Sequence, residues 1–202
     1  MSLIFRQLFE KISSSYTYIL GCKITRECVI IDPVLEETDR DIKLLNELKL
    51  NLKYTFNTHM HADHVRSCQE LKKAFPNNNI QSVIGDPLGK SDIMLKDNDS
   101  ISIGDKDHIN IISLHTPGHT DGCFSYYVPN YSMIFTGDAM LIRRCGRTDF
   151  QNGNANDLYY SISKKLYGLP DDTIVYPGHD YAGFISSTIE EEKLYNIRCD
   201  AN

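Results

Sequence analysis

The stretch Thr58-His59-Met60-His61-Ala62-Asp63-His64 constrains this chain more than any other, because three histidines and a carboxylate crowd into it. Ahead of it, residues 53–57 read as a strand. Behind it, Val65, Cys68, Leu71 and Phe75 are spaced three, three and four apart, the apolar face of a helix. The cluster therefore sits on a strand-to-helix turn, where several side chains can converge on one point. Imidazole and carboxylate donors together suit zinc, iron, manganese or copper. A plain polar turn gains nothing from three histidines, although Asp63 can cap the following helix as well as ligate.

Three later stretches repeat one theme, an apolar strand that ends in a potential ligand. Leu114-His115-Thr116-Pro117-Gly118-His119 ends in His119, Ile134-Phe135-Thr136-Gly137-Asp138 in a carboxylate, and Val175-Tyr176-Pro177-Gly178-His179 in a second Pro-Gly-His. Singly each is weak: a lone histidine is usually an ordinary surface or core residue, and Gly-Asp is usually a turn. In this order, after the first cluster, they read as one site. His59, His61, Asp63, His64, His119, Asp138 and His179 suffice for two metals, and two metals imply water activation for hydrolysis. His115 can stand behind this group. His108, beside Lys106 and Asp107, reads as exposed.

Further strands are expected at 16–20, ended by Gly21, and at 28–31, ended by Asp32-Pro33. Others follow at 82–84, 100–104, 108–114, 123–128, 133–135 and 173–176. Helices are expected at 41–50, with Ile42, Leu45 and Leu48 on one side, and at 157–166 and 187–196. Two strand-rich blocks with helices between and after them imply an α/β fold of two sheets face to face with helices outside, a four-layer αββα sandwich. The ligand-bearing turns lie at strand ends, where sites gather in α/β architectures. No repeat or linker divides the 202 residues, so 1–202 reads as a single domain.

Composition excludes several roles. A net charge of -6 argues against nucleic acid, which needs a basic face. No apolar run approaches the length of a membrane span. Cysteines 22, 28, 68, 123, 145 and 199 form no C-x-x-C pair, which fits reduced, buried thiols of an intracellular protein. Residues 1–10 lack the apolar segment of a signal peptide.

The order H-x-H-x-D-H, Pro-Gly-His, Gly-Asp, Pro-Gly-His, running from residue 16 to 180, resembles the metallo-β-lactamase superfamily. That resemblance implies the αββα sandwich and a two-metal centre. His59, His61 and His119 would hold one metal, Asp63, His64 and His179 the other, and Asp138 would bridge. A closer resemblance covers nearly the whole chain. Phe5-Arg6-Gln7-Leu8-Phe9, Ile31-Asp32-Pro33-Val34-Leu35-Glu36, Phe135-Thr136-Gly137-Asp138-Ala139, His179-Asp180-Tyr181 and above all Cys145-Gly146-Arg147-Thr148-Asp149-Phe150 are similar to the persulfide dioxygenase (sulfur dioxygenase) branch, related to glyoxalase II.

What this branch implies is one Fe(II) per chain, held by His59, His119 and Asp138, the two-histidine, one-carboxylate pattern of non-haem iron oxygenases. Zinc can occupy such a site in a given preparation. His61, Asp63, His64 and His179 would then orient ligands and waters around it. The implied reaction oxidises glutathione persulfide with O2 to sulfite and glutathione. Arg147 and Tyr181 would hold the glutathione, Arg147 by forking onto a carboxylate. Without the resemblance, Arg147 reads rather as a surface or structural ion pair, for instance with Asp149. The resemblance allows a homodimer, and it points to the mitochondrial matrix or, with no presequence visible, the cytoplasm.

Glyoxalase II, a hydrolase of glutathione thioesters with a dinuclear centre, is the alternative. That family carries a lysine and a tyrosine where this chain has Arg147 and Thr148. It adds a C-terminal helical domain, whereas this chain stops at Asn202. Persulfide dioxygenases also usually run further, and residues 193–202 diverge from them.

Overall fold

Side chains along the early strands alternate between two covered faces. The computed structural model describes residues 3–60, 62–105 and 109–198, with the backbone alone at 62–66. In β2 (Tyr16–Cys22), Tyr16, Tyr18 and Leu20 join one core and Ile19 another. Its neighbour β3 (Glu27–Ile31) sends Val29 and Ile31 to the first core and Cys28 and Ile30 to the second. All of these residues are buried, so neither face of the sheet meets water along these two strands.

The first sheet runs β1-β2-β3-β4-β5-β6 and is completed by β1 (Leu3–Phe9), β4 (Asn51–Phe56), β5 (Gln81–Ile84) and β6 (Ile93–Met94). Its strands pair antiparallel up to β3 and parallel from there on. The second sheet runs β14-β13-β10-β9-β8-β7. It comprises β7 (Ser100–Ile103), β8 (Ile109–His115), β9 (Phe124–Val128), β10 (Met133–Gly137), β13 (Ile174–Pro177) and β14 (Ser187–Thr188). There only β10 and β13 pair in parallel. A small hairpin, β11 (Met140–Leu141) and β12 (Arg144–Cys145), follows β10.

Three apolar clusters define the layers. The central one joins the inner faces of both sheets through Tyr18, Phe56, Tyr126 and Phe135. The Tyr18 and Phe135 rings lie 4.9 Å apart, and those of Phe56 and Tyr126 5.0 Å. Burying each such ring stabilises the fold by roughly 1.5–3 kcal/mol. A second cluster packs Leu45 of α1 (Thr38–Glu47) and Leu71 of α2 (Ala62–Ala74) on the outside of the first sheet. A third packs Leu158 of α3 (Ala155–Tyr160) and Ile189 of α4 (Ile189–Tyr195) outside the second. Helix, sheet, sheet, helix is the expected αββα order.

Several local readings differ. β2 does not stop at Gly21, which pairs with both Ile4 and Cys28 while the Leu50 side chain packs over it. Helix α1 lies three residues earlier than 41–50. It ends through Lys49, whose φ of +52° is a conformation that glycine usually marks, and Leu50 N donates to Leu45 O. Residues 187–188 are a strand, and the Thr188 hydroxyl then caps α4 by accepting from Glu191 N. Residues 161–166 of the expected third helix are π-wound. The half-buried residues of β1 show no clean alternation, so the sequence pattern does not predict this strand. The two-residue strands are too short to have a period.

Cys22, Cys28, Cys68 and Cys123 are buried free thiols, as expected, and Cys145 is half-buried; Cys199 lies outside the described residues. Burial pushes the Cys28 thiol up and that of Cys123 up to about 12, so both stay protonated near neutral pH. No helix among the described residues is long and apolar enough to cross a membrane.

Candidate metal centre

Four strand ends, one from the first sheet and three from the second, deliver the central residues. His59 follows β4, His119 follows β8, Asp138 follows β10 and His179 follows β13. β10 and β13 are parallel neighbours paired at Gly137 and Pro177, so Asp138 and His179 emerge side by side. Gly137 has φ +52°, a left-handed turn that swings Asp138 inward. Gly178 N donates to Gly137 O at 2.7 Å and locks the two turns together.

His59, His119 and Asp138 come together there. One donor atom from each lies within 4.8 Å of the others, and all three residues are buried. Among the described residues no other such group of three exists. A hydrogen bond fixes which nitrogen His119 offers. His119 Nδ1 lies 2.8 Å from the Arg147 carbonyl, which can only accept, so Nδ1 carries the proton and Nε2 the lone pair. That Nε2 is 3.6 Å from Asp138 Oδ2. His59 Nδ1 is 3.0 Å from the Thr58 hydroxyl.

His179 is the neighbour of this group rather than a member. Its Nδ1 donates to Asp138 Oδ1 at 2.7 Å and so orients the carboxylate. Burial pushes the Asp138 carboxyl up, but the His179 hydrogen bond, joined by the charge of His179, His59 or His119 whenever one of these rings is protonated, outweighs it and holds the group well below the usual carboxylate range. The donor set fits a metal of the zinc or iron kind: two oriented imidazoles and one carboxylate kept anionic.

The other expected residues fall as follows. His61 lies outside the described residues, as do the side chains of Asp63 and His64 at the start of α2. Arg147 forks onto Asp149, Nε to Oδ1 at 2.7 Å and one terminal nitrogen to Oδ2 at 3.1 Å, with its guanidinium over the Phe150 ring. The ion-pair reading of Arg147 is thus the arrangement present. Tyr181 is exposed and stacks on the His179 ring at 5.5 Å. His115 stays apart from the cluster, bonded to Asp121 O and packed against Phe124. His108 lies outside the described residues.

Sequence reasoning missed two contributions, the Thr58 hydroxyl and the Arg147 carbonyl. The first had a signal, since Thr58 directly precedes His59. The second had none, because a backbone carbonyl leaves no mark in a sequence. Two cavities of about 370 Å³ each adjoin the chain neighbours of the cluster. One is lined by Met60, Thr120 and Leu88, the other by Gly146, Arg147 and Tyr159.

A αββα sandwich with histidines and an aspartate gathered at its strand ends defines a class, and a family model described as "Metallo-beta-lactamase superfamily" matches residues 12–179. The chain belongs to that superfamily and, within it, to the persulfide dioxygenase branch. It is 47% identical over 197 residues to the mitochondrial persulfide dioxygenase ETHE1 of Homo sapiens, a match spanning 97% of this chain and 76% of that one. The crystal structure of ETHE1 from Myxococcus xanthus superposes with a TM-score of 0.88 at 44% identity, covering 97% of this chain and 84% of that chain. A probable hydroxyacylglutathione hydrolase of Schizosaccharomyces pombe is more distant, 34% identical over 93% of this chain and 75% of its own length.

Proposed function

We propose that this chain is a persulfide dioxygenase acting on glutathione persulfide, with one iron(II) held by His59, His119 and Asp138. The net reaction takes glutathione persulfide, O2 and water to glutathione and sulfite, releasing two protons. The observation that carries it is the pairing of two Nδ1-anchored histidines with one carboxylate in a single three-donor cluster. Kinship with enzymes named persulfide dioxygenase supports the substrate and the use of O2.

Iron(II) bound there would supply the redox chemistry. The residues supply geometry and electrostatics. His179 keeps Asp138 anionic and oriented by donating from Nδ1. With that proton committed to Asp138, His179 serves in this reading as an orienting residue, and His61, Asp63 and His64 are assigned the same role around ligands and waters. Arg147 would hold a glutathione carboxylate with the donors that Asp149 does not take, and Tyr181 would line the approach beside His179. We read residues 1–202 as one domain. The mitochondrial relatives support a location in the matrix, and a homodimer, which a mass measured in solution checks, completes the reading.

The test is stoichiometric. With glutathione persulfide as substrate, one sulfite and one glutathione should form per O2 consumed. Neither O2 uptake nor sulfite from glutathione persulfide, with rapid cleavage of S-lactoylglutathione in its place, would favour the glyoxalase II-like hydrolase.

A further inference from the structure

We propose that Asp32 is a positioning residue for His59, acting through the Thr58 hydroxyl to set which imidazole nitrogen carries the proton. The proposal deepens the reading of His59 as a metal ligand and rests on it. β3 and β4 are parallel neighbours in register at Ile31 and Phe56, so Asp32 and Thr58 emerge next to each other just beyond their ends. Thr58 N donates to Asp32 Oδ1 at 2.8 Å, and the Thr58 hydroxyl donates to Oδ2 at 2.8 Å. A hydroxyl has one proton. Once it is given to Asp32, the 3.0 Å contact with His59 Nδ1 requires the imidazole to be the donor. His59 is thereby held in the tautomer whose Nε2 has a lone pair to offer.

Without the carboxylate, the hydroxyl could turn and donate to Nδ1. That would stabilise the opposite tautomer, with its proton on Nε2, where it blocks ligation. Asp32 therefore does more than fill a buried polar position, because it excludes the wrong proton arrangement one residue further along a relay. Its own conformation is tightly determined. Asp32 has φ +50° and is buried; its N–H donates to Phe56 O at 2.9 Å, and its carbonyl accepts from the Thr17 hydroxyl at 2.9 Å. A residue held in a sparsely populated conformation by contacts at both ends is a usual mark of a site that needs rigidity.

The experiment uses the full chain as Thr58→Val, which removes the hydroxyl and keeps its shape, and as Thr58→Ser, which keeps the hydroxyl. Fe(II) affinity is measured by anaerobic chelator competition, and the His59 tautomer by nitrogen NMR of the metal-free protein. Thr58→Val should weaken Fe(II) binding by about 10–100-fold, the range for losing a hydrogen-bond partner behind a ligand, while Thr58→Ser stays within about threefold. Wild type and Thr58→Ser should show His59 protonated on Nδ1, and Thr58→Val a mixture. His59 protonated on Nε2 in the wild type overturns the proposal, and that spectrum needs no variant to fold. So does a Thr58→Val protein that keeps both the tautomer and the affinity. If wild type binds neither Fe(II) nor Zn(II), the proposed function falls by itself. The tautomer then decides the relay alone: Nδ1–H upholds it and Nε2–H overturns it.

Discussion

His59 and His119 perform one task with different support. Both keep the Nδ1 proton on an oxygen behind the ring and leave Nε2 for the centre. Behind His59 stand two side chains of the first sheet, the Thr58 hydroxyl and then the Asp32 carboxylate, both buried. Behind His119 stands the backbone carbonyl of Arg147, on a loop whose own side chain points to solvent and pairs with Asp149. Substitution can erase the first support directly. The second survives any change of side chain and yields only when the loop backbone moves. In the proposed reading one loop residue orients a ligand with its backbone and holds substrate with its side chain, and mutation can separate the two roles.

The largest effect is expected where the two sides meet. Asp138→Asn keeps size but removes the charge, and Fe(II) affinity should drop by more than the roughly 10–100-fold typical of a lost outer hydrogen bond. Circular dichroism should stay native, because the aromatic core between the sheets does not depend on the site. Normal iron occupancy in this variant would show that Asp138 is not a ligand.

The loop side is broken through its backbone. Gly146 N donates to Asp138 O at 2.9 Å, and a Cβ on Gly146 would collide with that same carbonyl and crowd the His119 ring. Gly146→Ala should shift the loop, withdraw the Arg147 carbonyl and cost about 10-fold or more in Fe(II) affinity. Unchanged affinity would mean that the loop does not orient His119.

Arg147→Ala is the matching side-chain test. The carbonyl remains, so iron content should not change, while KM for glutathione persulfide rises about tenfold and kcat stays within a few-fold, the pattern of lost uniform binding. A collapsed kcat with unchanged KM would place Arg147 at the reacting sulfur.

A control away from both supports lies on α1. Burial pushes the Asp41 carboxyl up to about 6, with the Arg40 charge and hydrogen bond opposing in part. A raised folded pKa adds stability that is full below the unfolded value of 3.8 and is lost as pH rises through about 6. Asp41→Asn lacks that dependence. Urea melts of the two proteins should show the variant gaining about 1–3 kcal/mol on the parent between acid and neutral pH, at unchanged iron content. A constant difference would show that Asp41 does not titrate in this range.

How far the sequence could be read follows the same division. The central ligand candidates were legible because histidines after apolar strands with Pro-Gly turns have few structural uses, and the αββα layering because strands and helices alternate in blocks. Helix α1 ends earlier than its sequence pattern predicts because a lysine, Lys49, takes the left-handed position that ends it. Strand β2 was cut short because Gly21 sits inside it and not at its end. The Asp32 support became visible only once β3 and β4 were known to be parallel neighbours, since 26 residues separate Asp32 from Thr58. The Arg147 carbonyl stayed invisible because any residue has one.

The most direct test of the three-residue iron site is metal content measured together with activity on one preparation made with iron available. One iron per chain is expected, with O2 consumed when glutathione persulfide is added and S-lactoylglutathione left intact. Two metal ions per chain, with activity that tracks zinc, thioester cleavage and no O2 uptake, would contradict it.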